Sequence, residues 1–113
     1  MPDYINLQYQ FFNSITTTDN LVQKEFLKNT NDNVFIKNRD FLITSSLTKK
    51  IIFESKWNQN PQQYCMEFYN SQYYFPIILL VNYIPTVFDF IGSSFETRPI
   101  ITPSLRDISQ LLG

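Results

Sequence analysis

The chain has no histidine and no alanine, and its 113 residues include two glycines, one cysteine and one tryptophan. Each shortage excludes a kind of chemistry. Without histidine there is no Ser-His-Asp or Cys-His nucleophile and no histidine-based zinc motif. Two glycines, Gly92 and Gly113, build neither a phosphate-binding loop nor a dinucleotide fingerprint. Cys65 stands alone, so it forms no internal disulfide and no paired metal ligand. Set among apolar and aromatic neighbours, it reads as a small buried hydrophobe. Charge is scarce as well, at 17% of residues with a net value of −1. A phosphate backbone needs a concentrated positive patch, so nucleic acid is not an expected partner. The tight basic pair Lys49-Lys50 reads as solvated loop. The apolar run Phe75 to Val81 falls far short of the roughly 20 residues that span a bilayer, and Pro76 and Asn82 interrupt it. The start "MPDYINLQYQFF" lacks the basic region of a secretion signal. The expectation is a soluble, non-catalytic protein without a cofactor, made in a reducing compartment.

What the chain does have is large side chains. Hydrophobic residues make up 43% and aromatics 17%. Its length predicts one domain with one modest core. The first segment alternates, with Ile5, Leu7, Tyr9 and Phe11 on one face and Asn6, Gln8 and Gln10 on the other, as in a half-buried strand. "NSITTTDN" then supplies turn residues. Asp19 or Thr18 caps a short helix carrying Leu21, Val22, Phe26 and Leu27. After the polar loop "KNTNDN", two apolar runs, Val34–Ile36 and Phe41–Thr44, are joined by four polar residues and predict a hairpin.

From Lys50 the pattern changes. "KIIFES" is a short β run of Ile51, Ile52 and Phe53. Asn60-Pro61 predicts a helix start, with Asn as N-cap, Pro in the first turn and Gln63 placed for a capping box. That helix runs to about Tyr69, with Pro61, Cys65 and Phe68 on one face and Tyr64 beside them. "NSQ" breaks it. Pro76 disfavours a central strand and suits a helix's first turn, so a second short helix is predicted from about Phe75 to Asn82 and ended by Pro85. "TVFDFIGSSFETR" is a loop with aromatic anchors, "PIIT" is a second β run, and "PSLRDISQLLG" is a helical turn capped by Ser104. The order is β-α-α-β with a helical tail.

Candidate chemistry is sparse. Glu54, Glu67, Asp89 and Glu96 are the carboxylates that a two-acid mechanism would draw on, but nothing in their spacing places two at one cleft. Ser55-Lys56 is a weak nucleophile pair, because neighbours on a strand face opposite ways. The aromatics Tyr64, Phe68, Tyr69, Tyr73, Tyr74 and Phe75 read either as core or as a platform for sugar or protein. Trp57, in the polar loop "SKWNQN", reads either as an exposed interface anchor or as a lid over the core.

The segments "IIFES", "NPQQYCMEFYN", "YYF", "IILLVNYI" and "IITPSLRDI" carry a resemblance. In that order they resemble the LysM module, and more closely the LysM-like small wedge proteins of bacteriophage tail baseplates. Asn82 and Ile84 fall at that family's Asn-x-Ile. Gln62 replaces its usual acid, Asn70 its glycine and Pro76 its common tryptophan. The similarity spans about Ile51 to Ile108, with a weaker echo at "TTDNLVQKEFL".

The resemblance implies an α+β fold in which residues 50–113 form a LysM-like β-α-α-β module with a short helical tail. Residues 1–49 then form an N-terminal β-rich extension that docks on a partner. It implies a structural virion protein, an adaptor holding neighbouring tail or baseplate subunits together, synthesised in the host cytoplasm. It also permits weak binding of N-acetylglucosamine polymers such as peptidoglycan. Tyr4, Tyr9, Phe12, Trp57, Tyr73 and Tyr74 are the candidate partner-interface residues.

Overall fold

Side-chain capping starts three of the six described helices. In the computed structural model, which describes residues 17–27 and 33–112, Asn60 caps a helix running Pro61–Tyr69 by accepting the Gln63 N–H at 3.2 Å. The reciprocal half of a capping box is absent, because the Gln63 side chain turns to Glu67 instead. Asn70 ends this helix in the left-handed region at φ 59°, a conformation that Asn tolerates better than most residues. A single 3-10 turn, Gln72–Tyr74, leads into the second helix, Phe75–Val81, with Pro76 in its first turn.

Two strands flank this helix pair. Lys49–Ile51 pairs antiparallel with Ile100–Thr102, and Lys50 lies opposite Ile101. The predicted β-α-α-β order is therefore present, with a last helix Leu105–Leu112 entered through Ser104, whose Oγ accepts the Asp107 N–H. The first strand is shifted two residues toward the N-terminus of the expected run Ile51–Phe53, taking in the predicted loop pair Lys49-Lys50. It ends at Ile51 and leaves Ile52 82% exposed.

Residues 33–44 do not form the predicted hairpin. They form two short helices, Val34–Lys37 and Arg39–Thr44, behind a first helix at Thr17–Glu25. The cause is again capping. The Asn33 side chain accepts the N–H groups of Phe35 and Ile36, and the Glu25 carboxylate accepts that of Val34 at 2.6 Å. Three otherwise unpaired amides are thereby satisfied in a helical turn. Asn38, between the two helices, donates its side-chain amide to the Val34 carbonyl. Phe35 and Leu42, seven residues apart, are fully buried on one side. The extension is thus helical, not β-rich, over its described residues. The alternating segment 5–11 lies outside them.

In chain order the helices are α1 (Thr17–Glu25), α2 (Val34–Lys37), α3 (Arg39–Thr44), α4 (Pro61–Tyr69), α5 (Phe75–Val81) and α6 (Leu105–Leu112). The strands are β1 (Lys49–Ile51) and β2 (Ile100–Thr102). This is a small α+β fold. The α5 helix is central, packing on α2, α3, α4 and β2. Its Ile77, Ile78 and Val81 are buried in one cluster with Val22, Phe35 and Leu42 of the first half and Ile100 and Ile108 of the second. Burying each isoleucine contributes roughly 2 kcal/mol. Ser45 donates to buried Asp107 at 2.5 Å, tying the end of α3 to the start of α6.

The end of α5 connects helix to sheet. Asn82 donates to the carbonyls of Ile78, at 2.7 Å, and Ile101, at 3.0 Å, and its Oδ1 accepts the Ile101 N–H at 2.8 Å. One buried amide thereby closes the outer edge of β2. Tyr83 and Ile84 then turn the chain by donating to Leu80 and Leu79, a left-handed helix terminus with Tyr83 at φ 58°. Asn82→Ala should lower stability to denaturant by about 2 to 4 kcal/mol, since it orphans the Ile101 N–H and C=O together. Asn70→Ala should cost about 1 kcal/mol while Asn70→Gly costs nothing, because only alanine strains the left-handed cap.

Candidate functional site

The two loops that join strands to helices meet in an aromatic cluster. Phe53 stacks on Phe95 at 5.3 Å and meets Phe90 and Trp57 edge-on. Trp57 meets Tyr64 at 4.7 Å in a perpendicular arrangement. The Gln59 N–H donates to the Phe90 carbonyl at 2.7 Å and joins the loops directly. Such edge-to-face pairs add about 0.5 to 1.5 kcal/mol each beyond the area they bury. The aromatic residues that anchor the loops therefore pack on one another, with Trp57, Tyr64 and Phe90 almost wholly buried.

Trp57 is the lid of this cluster. At 2% exposure it does not stand out as an interface anchor. Its ring lies under the Lys56 ammonium, and its Nε1–H donates to Glu67 at 2.6 Å. Lys56 bridges Glu67 at 2.9 Å and Glu54 at 3.9 Å, and Gln63 also donates to Glu67. Glu67 is thus held by three donors. The Trp57 hydrogen bond first, then Lys56, keeps its carboxyl below the usual 4.5, and the same bond to Glu67 raises the Lys56 ammonium above 10.5.

The other candidates disperse. Asp89 accepts the Thr86 hydroxyl within its own turn. Glu54 and Glu67 share a lysine and line none of the three grooves described below, each of which is lined by at most one carboxylate. Among the described residues no three His, Cys, Asp or Glu side chains gather as a metal site, and no helix is long and apolar enough to cross a membrane. Cys65 is fully buried, and desolvation pushes its thiol well above the ordinary range. Tyr64 bonds Thr102 and Tyr69 donates to the Pro103 carbonyl at 2.6 Å, so both tyrosines of α4 anchor β2. Tyr74 is buried against Tyr69, and Tyr73 is half-buried. Tyr74 is therefore core, like Trp57. Tyr4, Tyr9 and Phe12 lie outside the described residues.

The open apolar surface lies elsewhere. A groove of about 230 Å³ at the start of β1 is lined by Leu47, Lys49, Phe68 and Leu105. A second, of about 330 Å³ at its other end, is lined by Ile52, Phe53, Arg98 and Pro99. A third, also about 330 Å³, runs along α5 between Leu79, Leu80 and Pro85. There the Arg39 guanidinium stacks on Tyr83 at 4.5 Å. Ile52, Phe88 and Tyr83 are the most exposed of these residues together with the loop nearby, at 82, 69 and 58%. Reading the sequence missed all three. Tyr83 carried a signal, being the residue after a helix-ending Asn and two before a proline, where a left-handed turn throws the side chain outward.

Comparison of the chain with family models, curated proteins and solved structures found no match.

The Trp57–Glu67 bond gives a pH prediction. A carboxyl whose folded value is depressed contributes stability that is complete above pH 4.5 and is lost as pH falls through the lower folded value. Emission of Trp57, the sole tryptophan, should change in that acid window. Glu67→Gln, which keeps an acceptor for the indole but carries no titrating group, should remove the step. A step that persists in the variant would assign it to another group.

Proposed function

We propose that this protein is a non-catalytic adaptor, a LysM-like module that holds neighbouring subunits together in a phage tail baseplate. The observation that carries this reading is the apolar surface around the sheet. Leu47 and Leu105 open into the groove at the start of β1 and Ile52 into the groove at its other end, and apolar side chains exposed beside grooves mark contact with other proteins. The β-α-α-β order with antiparallel pairing is consistent with the module, and the resemblance of residues 51–108 supplies the tail context. A net charge of −1 suits broad static contacts better than nucleic-acid binding.

The burial of Trp57, Tyr64 and Tyr74 weighs against the glycan reading, because a sugar stacks on open ring faces. Among the described residues, Phe88 and Tyr83 are the most exposed rings left for it.

Mass spectrometry of purified particles, separated into heads and tails, tests the adaptor. The chain should appear in the tail fraction at a fixed ratio to the other tail proteins, and its absence from the particle would overturn the reading. Co-sedimentation with peptidoglycan sacculi tests the rival. The chain should stay in the supernatant, whereas saturable binding abolished by Phe88→Ala or Tyr83→Ala would establish carbohydrate recognition.

A further inference from the structure

The sheet has two edges, and they are not alike. In an antiparallel ladder, residues alternate between pairs that exchange backbone hydrogen bonds and pairs that do not. Asn82 holds both the N–H and the C=O of Ile101, so those groups point away from β1. Ile101 and its partner Lys50 are therefore a non-bonded pair. The Lys50 N–H and C=O then point away from β2, and no described residue bonds them or the backbone of Ile52. The outer edge of β2 is closed by a side chain, and that of β1 is open.

The open edge has side-chain features that suit a strand. Ile52 stands 82% exposed at one end and Leu47 43% at the other. The two grooves at the ends of β1 lie beside them. Lys49 and Lys50 are exposed between these ends, and neither has an ion-pair partner among the described residues.

We propose that the β1 edge, from Leu47 to Ile52, accepts an extended acidic strand of another protein as the third strand of the sheet. Main-chain bonds to Lys50 and Ile52 hold it, apolar side chains at its ends cover Leu47 and Ile52, and carboxylates between them meet Lys49 and Lys50. Charge selects this occupant. A second copy pairing edge to edge about Lys50 would set lysine against lysine, which opposes association. The chain's own alternating segment, residues 5–11, contains no charged residue and would leave both lysines unanswered. The proposal rests on the adaptor reading and names the contact by which one neighbour is held.

The test is an NMR titration of the ¹⁵N-labelled full chain with the six-residue peptide Val-Thr-Glu-Glu-Thr-Val, beside the same peptide with Lys in place of Glu. The adjacent carboxylates of the first face opposite ways, as Lys49 and Lys50 do. The Glu peptide should shift the Lys50 and Ile52 amides and slow their hydrogen exchange by about tenfold, the scale set by one hydrogen bond. Lys50→Glu, at a solvated position, leaves one charge of each sign on the edge and should remove the preference between the two peptides. Equal response to both peptides, shifts centred away from residues 47–52, or an unchanged preference in the variant would overturn the proposal. Slow exchange at Lys50 in the free chain would overturn it too, since the edge would already be covered by residues 5–11 or a second copy. Failure here leaves the adaptor reading to its own test, because particle composition does not depend on which surface makes the contact.

Discussion

One side-chain amide, that of Asn82, sets the relation between helix and sheet. Its hydrogen bonds to Ile78 and to both backbone groups of Ile101 join the last turn of α5 to the outer edge of β2. A two-stranded sheet is marginal by itself and needs a helix packed against it. Here the helix supplies a packing face, through Ile77, Ile78 and Val81, and also the bonds that a third strand would otherwise make. Buried polar groups stabilise only when satisfied, and this amide uses three of its four bonding positions. Replacing the edge strand by a side chain keeps the sheet narrow and leaves its other side without a strand neighbour among the described residues.

The lack of alanine has its counterpart in the interior. With few small residues, the chain closes its loop layer by crossing rings, with Phe53, Trp57, Tyr64, Phe90 and Phe95 as one assembly. Large planar groups leave gaps unless they meet at steep angles, and five of the six contacts within this assembly are edge-on, Phe53 on Phe95 alone being stacked. The polar atoms brought along are answered nearby: the indole N–H by Glu67, and the tyrosine hydroxyls by Thr102 and the Pro103 carbonyl.

The elements legible in the sequence are those announced by local chemistry. Asn60-Pro61, Pro76 and Ser104 each mark a helix start by capping or by a fixed backbone angle, and the helices begin there. The hairpin expected over 34–44 failed because its apolar runs are too short to show a period. The deciding signals were Asn33 as a cap and the seven-residue spacing from Phe35 to Leu42, two helical turns hidden by the polar residues between them. Trp57 could not be placed from its polar neighbours, since its partner Glu67 is ten residues away and comes near only when α4 folds. The open edge of β1 was hidden for a similar reason. Lys49-Lys50 reads as loop until Ile101 is known to bond elsewhere.

The pairing of β1 with β2 also bears on how the chain folds. The strands are joined through nearly half the sequence, and the Ser45–Asp107 bond closes a span of 62 residues. Loop-closure entropy opposes such contacts until the intervening residues are ordered, whereas α4, its following turn and α5 are sequence neighbours and can assemble early. The topology therefore makes the sheet a late event, with the Ile51 and Ile100 amides gaining protection after those of α4 and α5. An open strand edge is a hazard in a partly folded chain, because any other extended segment can pair with it. When the edge arises only in the last step, the species that presents it already has its core complete.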